Sequence, residues 1–266
     1  MKRILLCCSV LMLIGSIFAA ETPAKSPLYR AHAHNDYLHA RPLADALAHG
    51  FRSVEADVWL TNGALLVAHD FKDASAERTL EKLYLDPLRA FVKTNDASRG
   101  QQPPITLLVD VKSPAEPTYS ALKKVLAGYT DILTAFKAAG IQTNAVMVII
   151  SGNRAETTMR EEPIRWAAVD GRLPDLENNP PVALFPLISD TWTKYFQWRG
   201  QGPLPEEERT KLRALVSQAH RQGRVIRLWA APDNEAGWKE LFEAGVDLLN
   251  TDKLAEMESF LGARAH

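Results

Sequence analysis

Cysteine is almost absent from this sequence of 266 residues, which contains only Cys7 and Cys8. Both lie in an amino-terminal segment that we expect to be removed, so the remaining chain has no thiol and no disulfide. An excess of one charge is also lacking, since 31 Lys and Arg residues stand against 32 Asp and Glu residues. No basic run has the pattern that follows a nucleic-acid backbone. Nucleic acid is therefore not the expected partner.

The first twenty residues have the pattern of a secretory signal peptide. Lys2 and Arg3 precede an apolar run over residues 4–18 that closes on Ala19 and Ala20. This run is shorter than the roughly 20 apolar residues of a transmembrane helix. We expect cleavage after residues 1–20, an exported protein that is periplasmic or secreted, and no stable membrane anchor after cleavage. The sequence leaves the oligomeric state open.

Over residues 21–266, short β-branched runs alternate with helical periodicity, which is typical of a parallel sheet covered by helices. One pair of strands is separated by Asn62-Gly63, a strong signal for a two-residue hairpin. If that hairpin is one elaborated barrel position, eight parallel strands remain, and the fold is α/β, a single (β/α)₈ TIM barrel in one domain. The predicted strands are Leu28–His34, Ser53–Leu60, Ala64–His69, Ile105–Val111, Ala145–Ile150, Ile164–Val169, Val182–Ile188, Val225–Ala230 and Val246–Leu249. Apolar spacing also predicts helices over Leu122–Phe136 and Leu212–Ala219.

The second predicted strand carries two acids, Glu55 and Asp57, between apolar neighbours. Successive side chains on a strand point to opposite faces, so these two carboxylates share one face. Asp110 ends another apolar strand, and Lys112 follows on the same face. Together with the amide oxygen of Asn35, the three carboxylates form an all-oxygen set, which suits Mg²⁺ or Ca²⁺ better than zinc. We predict one divalent cation, and the choice between Mg²⁺ and Ca²⁺ stays open.

Two histidines, His34 and His69, each end an apolar strand run and precede a polar residue. A histidine at the carboxyl end of a barrel strand is a candidate site residue, because barrel enzymes place their sites there. His32 lies two residues before His34, and either could be the leading histidine of the site. We choose His34 because Asn35 follows it.

Four short motifs now follow one another along the chain. They are His34-Asn35-Asp36-Tyr37, Glu55-x-Asp57, His69-Asp70 and Asp110-x-Lys112. Their order resembles the phosphodiesterase superfamily that joins phosphatidylinositol-specific phospholipases C, glycerophosphodiester phosphodiesterases and spider-type phospholipases D. The stretch from His34 to Asp70 is most similar to the largely uncharacterised branch called altered inheritance of mitochondria proteins. The tail Gly245–Asp252 is similar to the ending of the glycerophosphodiesterases.

The resemblance implies a distorted barrel whose His34 and His69 act as acid and base. It also implies a divalent cation held by a set of four residues, namely Asn35, Glu55, Asp57 and Asp110. The expected reaction is hydrolysis of a small phosphodiester or a phospholipid, with Lys112 in contact with the phosphate. Trp229 matches a family position and is expected to contact the substrate. Whether water or a hydroxyl of the substrate attacks phosphorus stays open.

The chain departs from the glycerophosphodiesterase pattern at two places. It has His34-Asn35-Asp36 where those enzymes usually have His-Arg-Gly, and Asp110-Val111-Lys112 where they commonly have Glu-x-Lys. The second departure matches the phospholipase D branch instead. The metal ligands therefore look intact, while the substrate does not follow from the resemblance.

Three other functions are compatible with parts of the sequence. His32-Ala33-His34 is similar to the metal pair of amidohydrolases, but no histidine occurs between His69 and His220 to complete that ligand set. Ser151-Gly152-Asn153 lacks the glycine-flanked serine turn of a serine hydrolase. The non-enzymatic alternative is an exported ligand-binding barrel with an aromatic platform, which would consist of Trp192, Tyr195, Phe196, Trp198 and Trp229.

Overall fold

The computed structural model describes residues 28–95, 102–137 and 139–264. The signal peptide predicted for residues 1–20 lies outside the described residues and stays a prediction. Within the described ranges, no helix combines the length and the apolar character that a membrane-crossing segment needs. The strands are β1 (Ala31–Ala33), β2 (Ser53–Thr61), β3 (Ala64–Val67), β4 (Ile105–Val111), β5 (Ala135–Lys137), β6 (Gly140–Gln142), β7 (Val146–Gly152), β8 (Ile164–Arg165), β9 (Ala168–Gly171), β10 (Leu187–Thr191), β11 (Val225–Trp229) and β12 (Leu249–Thr251). The α-helices are α1 (Ala44–Ala48), α2 (Asp86–Thr94), α3 (Ala115–Leu126), α4 (Glu156–Glu161), α5 (Asp175–Asn178), α6 (Trp192–Tyr195), α7 (Glu206–Arg221), α8 (Glu235–Ala244) and α9 (Leu254–Gly262).

Eight parallel strands form a nearly closed barrel. Their spatial order is β11, β10, β9, β7, β4, β2, β1 and β12. A single parallel bridge between Arg227 and Leu248 joins the two ends of this order. Strand β3 returns antiparallel to β2 across Asn62 and Gly63, which both have positive φ angles, as a tight hairpin turn requires. The α/β distorted TIM barrel predicted from the sequence is confirmed. The predicted hairpin is also present, as the additional antiparallel strand β3 beside β2.

Of the nine predicted strands, only Ile105–Val111 has the predicted bounds. Leu28–His34 shortens to Ala31–Ala33 and Val246–Leu249 shifts to Leu249–Thr251, and smaller changes occur at the ends of four others.

The remaining two strands are divided or begin late. The strand predicted over Ile164–Val169 is divided, because Ile164–Arg165 pairs with β5 and the barrel strand begins at Ala168. The strand predicted over Val182–Ile188 begins only at Leu187. Its first residues form a turn in which Leu184 N–H donates to the carbonyl of Pro181. Apolar content alone does not distinguish a buried turn from a strand, and this explains both differences.

The helix predicted to reach Phe136 ends at Leu126 as α3. Phe136 lies instead on β5, in a small three-stranded sheet of β6, β5 and β8. There it is fully buried and packs with apolar residues of the barrel interior. The apolar periodicity continues beyond the end of the helix because Phe136 is buried in a different element.

Apolar side chains fill the layer between the barrel strands and the surrounding helices. Inside the barrel, one end is apolar and the other end is polar. On β2, Val54, Ala56 and Val58 are fully buried in the main core between sheet and helices. A second, smaller apolar cluster lies inside the barrel near the amino ends of the strands, with Leu108 and Ile149 among its members. Toward the carboxyl ends the inward-facing side chains are polar. The chain thus keeps its buried charge at one end of the barrel, where TIM-barrel enzymes place their chemistry.

Candidate functional site

Three carboxylates converge at the carboxyl end of two neighbouring strands. Glu55 and Asp57 lie on β2 and Asp110 lies on β4, where Asp57 and Asp110 are direct register partners. One oxygen atom from each residue lies within 4.8 Å of the others. The second oxygens of Asp57 and Asp110, both Oδ1, are buried and have no hydrogen-bond partner. Because an unpaired buried carboxylate oxygen is unfavourable, this all-oxygen cluster fits a hard divalent cation.

Two cationic side chains partly balance these acids. Lys112 Nζ lies 2.6 Å from Asp110 Oδ2 and 3.1 Å from Asp57 Oδ2. Arg227, on β11, donates from Nη2 to Glu55 Oε2 at 2.6 Å, and both side chains are almost fully buried. Burial raises the pKa of Asp57, and Lys112 partly offsets that effect. Against the effect of burial, the Arg227 charge holds the pKa of Glu55 well below its ordinary value. Glu55 is therefore ionised.

Gly152, the last residue of β7, lies directly against the carboxylate of Asp110. Its φ angle is +66°, and a Cβ atom at this position would overlap Asp110 Oδ1 and the carbonyl of Val111. An alanine side chain there would both strain the backbone and displace a carboxylate of the candidate metal site.

We expect Gly152→Ala to lower the free energy of unfolding by more than the roughly 1–2 kcal/mol that positive φ alone costs a non-glycine residue. Gly202→Ala is the matched control, because Gly202 has a φ angle of +65° and no atom within 4 Å of its added Cβ. Urea denaturation of both variants measures the difference. Equal losses in the two variants would contradict the overlap with Asp110.

The first histidine of the site is held by an acid from the last strand. His34 Nδ1 donates to Asp252 Oδ1 at 2.8 Å, and Asn35 Nδ2 donates to the same oxygen at 3.2 Å. Burial alone lowers the pKa of His34, but the hydrogen bond to Asp252 and the charge of Glu55 raise it above the ordinary value. Asn35 has a left-handed backbone, with φ 49° and ψ 31°. This conformation places its side chain beside the neighbouring histidine.

The second histidine is held by one of the three clustered acids. His69 Nδ1 donates to Asp57 Oδ2 at 3.1 Å. The Tyr37 hydroxyl lies 2.8 Å from the same Asp57 oxygen and 2.7 Å from Asn35 Oδ1, so it connects the acid with the amide. His34 and His69 line one cavity of about 350 Å³ together with all three carboxylates. Each ring uses Nδ1 for a carboxylate, which leaves Nε2 for a ligand in the cavity.

His32, the alternative leading histidine, is fully buried behind the acids. Its Nδ1 lies 2.7 Å from Ser53 Oγ and its Nε2 lies 3.2 Å from Glu55 Oε2. Burial, helped by the Arg227 charge, lowers the pKa of His32 to about 3. The ring is therefore neutral, and it positions Glu55. In the part of the chain that the structure describes, the convergent group of possible metal ligands contains no histidine, which disfavours the amidohydrolase alternative.

The wall opposite the histidines carries residues that sequence reasoning did not single out. Arg172 donates from Nη1 to Asp170 Oδ2 at 2.8 Å, and the same oxygen accepts hydrogen bonds from the hydroxyls of Ser151 and Ser189. Arg172 and Ser151 line the cavity. The signal that could have found this wall is the charged sequence Asp170-Gly171-Arg172 directly after an apolar strand.

Of the five aromatic residues considered as a ligand platform, Trp229 alone lines the cavity, and it is 36% exposed. Trp192, Phe196 and Trp198 are buried, and the rings of Trp192 and Phe196 stack at 4.0 Å. Tyr195 directs its hydroxyl to Asp190 Oδ2 at 2.8 Å. Core packing rather than ligand binding therefore accounts for the three buried rings, and the platform in that alternative is not formed.

Comparison with known proteins gives matches over most of the chain. The AIM6-like phosphodiesterase domain matches residues 25–165, and the glycerophosphoryl diester phosphodiesterase family matches residues 225–255. Altered inheritance of mitochondria protein 6 of Eremothecium gossypii is 30% identical over 278 residues, which cover 88% of this chain and 69% of that protein. A homolog of that protein from Arthroderma benhamiae is 28% identical, and the match covers 86% of this chain and 86% of the homolog.

Solved structures show the same fold. A glycerophosphodiester phosphodiesterase from Parabacteroides distasonis superposes with a TM-score of 0.56 at 16% identity, over 91% of this chain and 100% of its own. A putative glycerophosphoryl diester phosphodiesterase from Agrobacterium tumefaciens superposes with a TM-score of 0.53 at 14% identity. The superposition covers 90% of this chain and 100% of the other chain. At such low identity, the likeness establishes the shared barrel.

Proposed function

Because the chain belongs to the AIM6-like phosphodiesterase family, we propose that it is an exported hydrolase of phosphoric diesters that acts in the cavity between His34 and His69. The family resemblance noted in the sequence is confirmed by these matches. The observation that carries the proposal is a single cavity that joins two histidines with a cluster of three carboxylates. The proposed substrate is a small phosphodiester or a phospholipid, and the proposed cofactor is one Mg²⁺ or Ca²⁺ ion.

Glu55, Asp57 and Asp110 would hold the cation, with the Asn35 amide oxygen beside them. When bound, such an ion would neutralise the charge of the phosphoryl oxygens and make the phosphorus atom more susceptible to nucleophilic attack. The unpartnered Oδ1 atoms of Asp57 and Asp110 are the observation that supports this assignment. Arg227 and His32 keep Glu55 ionised and fix its orientation from behind.

The two histidines supply proton transfer. One takes the proton from the attacking hydroxyl as the new oxygen–phosphorus bond forms, and the other gives a proton to the leaving oxygen as the old bond breaks. Because each Nδ1 donates to a carboxylate, each ring is fixed with Nε2 as the reacting atom. Asp252 and Asp57 thereby orient His34 and His69.

The remaining cavity residues would bind the substrate. Lys112 and Arg172 carry positive charge on the cavity wall, where a phosphodiester anion needs it. Trp229 offers a partly exposed ring for the apolar or polyol part of the substrate. Attack by water would give a phosphomonoester, whereas attack by a hydroxyl of the substrate would give a cyclic phosphate, and ³¹P NMR of the product distinguishes the two.

The test of the cation is its effect on folding. We expect Mg²⁺ or Ca²⁺ to stabilise the purified protein by about 2.7 kcal/mol at one hundred times its Kd, since a ligand that binds only the folded state shifts the equilibrium by that amount. Asp110→Asn should lose most of this stabilisation, while Asp73→Asn, an exposed acid outside the site, should keep it. Urea denaturation with and without chelator measures both. The same stabilisation in wild type and Asp110→Asn would refute the metal assignment.

The test of the activity is hydrolysis by the purified protein. Glycerophosphodiesters, inositol phospholipids, sphingolipids and small nucleotide diesters are offered with Mg²⁺, with Ca²⁺ and with chelator. We propose that one of these classes is hydrolysed and that chelator stops the reaction. A folded, metal-binding protein that is inert toward every class would support the alternative of a non-catalytic ligand-binding barrel.

A further inference from the structure

A second cavity adjoins the one described above. It is a shallow depression that is open to solvent, with a volume of about 550 Å³, and it is lined by Lys112, Pro114, Ala115, Gly152, Asn153 and Arg154. We call it the side cavity. It shares Lys112 and Gly152 with the candidate active site, so the two spaces are adjacent. Its lining contains no carboxylate and two cationic side chains, of which Lys112 is paired with Asp110 and Asp57 and Arg154 is not paired with an acid of the described chain. Such a lining favours an anionic ligand.

Arg154, just after β7, is the distinctive residue of the side cavity. Its Nη1 donates to the backbone carbonyl of Asp170, and in the chain as described it forms no ion pair. Arg172 donates to the same carbonyl oxygen at 3.2 Å, so two guanidinium groups share one acceptor. The carboxylate of Asp170 is engaged by Arg172.

The surroundings of Arg154 leave its charge only partly compensated. Burial lowers the pKa of Arg154, and the charge of the neighbouring Arg172 lowers it further. Asp170, Glu156 and Asp175 act in the opposite direction, each with a smaller effect. An anion in the side cavity, beside Arg154 and Lys112, would offset part of this repulsion. The planar guanidinium forms two parallel hydrogen bonds with phosphate oxygens, which makes a phosphate group the best-suited ligand.

We propose that the side cavity binds a second phosphate group of the substrate, so that the preferred substrates are phosphodiesters that carry a further phosphate on one of their alcohol moieties. This inference rests on the proposed phosphodiesterase function. The diester phosphorus lies in the cavity of His34 and His69, while the additional phosphate contacts Arg154. Lys112 lies on the boundary between the two groups. A diester without the second phosphate leaves the side cavity without an anion.

Two matched substrate pairs test the proposal. Glycerophosphoinositol is compared with its 4-phosphate, and glycerophosphoglycerol with bis(glycerophospho)glycerol. In at least one pair, we expect the member with the additional phosphate to have a kcat/KM about tenfold or more higher, as a charge-assisted arginine–phosphate contact provides. Arg154→Gln should bring this ratio close to one. Arg160→Gln is the control, because Arg160 lies on the nearby helix α4, outside the side cavity, with a side chain that is about half exposed, and its substitution should leave the ratio unchanged.

Calorimetry separates this proposal from the proposed function. Inositol 1,4-bisphosphate, titrated in the presence of chelator, should bind wild type and Arg160→Gln about tenfold or more tightly than Arg154→Gln. If no diester is hydrolysed but this difference in binding is measured, the phosphodiesterase proposal fails and the anion site stands. Two results together would overturn the anion site. They are a wild-type kcat/KM ratio near one in both substrate pairs, and equal affinity of wild type and Arg154→Gln for inositol 1,4-bisphosphate. Thermal unfolding confirms that the variants are folded.

Discussion

Replacing either site histidine with asparagine should lower kcat/KM for the best diester substrate by about 10²–10⁴-fold, which is the usual contribution of one general acid or base. His34 and His69 both line the cavity, and each is fixed through Nδ1 by a carboxylate, Asp252 or Asp57. Asparagine keeps a hydrogen-bond donor near that carboxylate but has no group that exchanges a proton near neutral pH. The loss should therefore fall on kcat more than on KM.

His220→Asn is the matched control for both variants. His220 lies on α7, is partly exposed, and bonds Asp247 at 2.9 Å. Its substitution should leave kcat/KM within about twofold of wild type, as expected for a surface histidine outside the reacting groups. The double variant at positions 34 and 69 should lose little more than the worse single variant, because residues that act as one catalytic unit are strongly non-additive. Full activity in either single variant would refute the paired role.

Breaking the buried ion pair between Glu55 and Arg227 should produce the largest loss of stability in this protein. Glu55→Gln leaves the guanidinium without a charged partner at a site where both side chains are at most 6% exposed. Loss of one member of a buried pair typically lowers the free energy of unfolding by about 3–5 kcal/mol. Asn250 also accepts a hydrogen bond from Arg227 at 2.7 Å, but it carries no charge.

Urea denaturation in chelator measures this loss without interference from a bound cation. Glu77→Gln is the control, since Glu77 pairs with Lys82 on the exposed surface and should contribute less than about 1 kcal/mol. Arg227→Met combined with Glu55→Leu should recover part of the lost stability, because a well-packed apolar pair avoids burying an unpaired charge. Similar small losses for Glu55→Gln and Glu77→Gln would show that Arg227 is satisfied without its acid.

The sequence predicts the strands that carry the acids almost without error. Strand β4 has the predicted bounds, and β2 extends one residue further than predicted. Both are apolar runs with turn signals at their ends, and in β2 the alternation of apolar and acidic residues already determines which face each side chain occupies. The pairing of Asp57 with Asp110 then follows from the neighbouring position of the two strands in the barrel.

The partners of these residues could not be predicted, because they come from distant parts of the chain. Arg227 is 172 residues from Glu55, and Asp252 is 218 residues from His34. Such contacts depend on which strands meet when the barrel closes, and no local periodicity records that. Arg154 and Arg172 lie in loops after strands, where sequence patterns give the least information about side-chain position.

The left-handed backbone at Asn35 restricts how this family member could change its chemistry. A non-glycine residue in that region is unfavourable by roughly 1–2 kcal/mol, with asparagine and aspartate the best tolerated. Cysteine at position 35, as a softer metal would require, meets this conformational resistance in addition to any loss of function. Positions 55, 57 and 110 have extended backbones that impose no such limit. Adaptation to a different ion is therefore more accessible through the two strands than through the turn after β1.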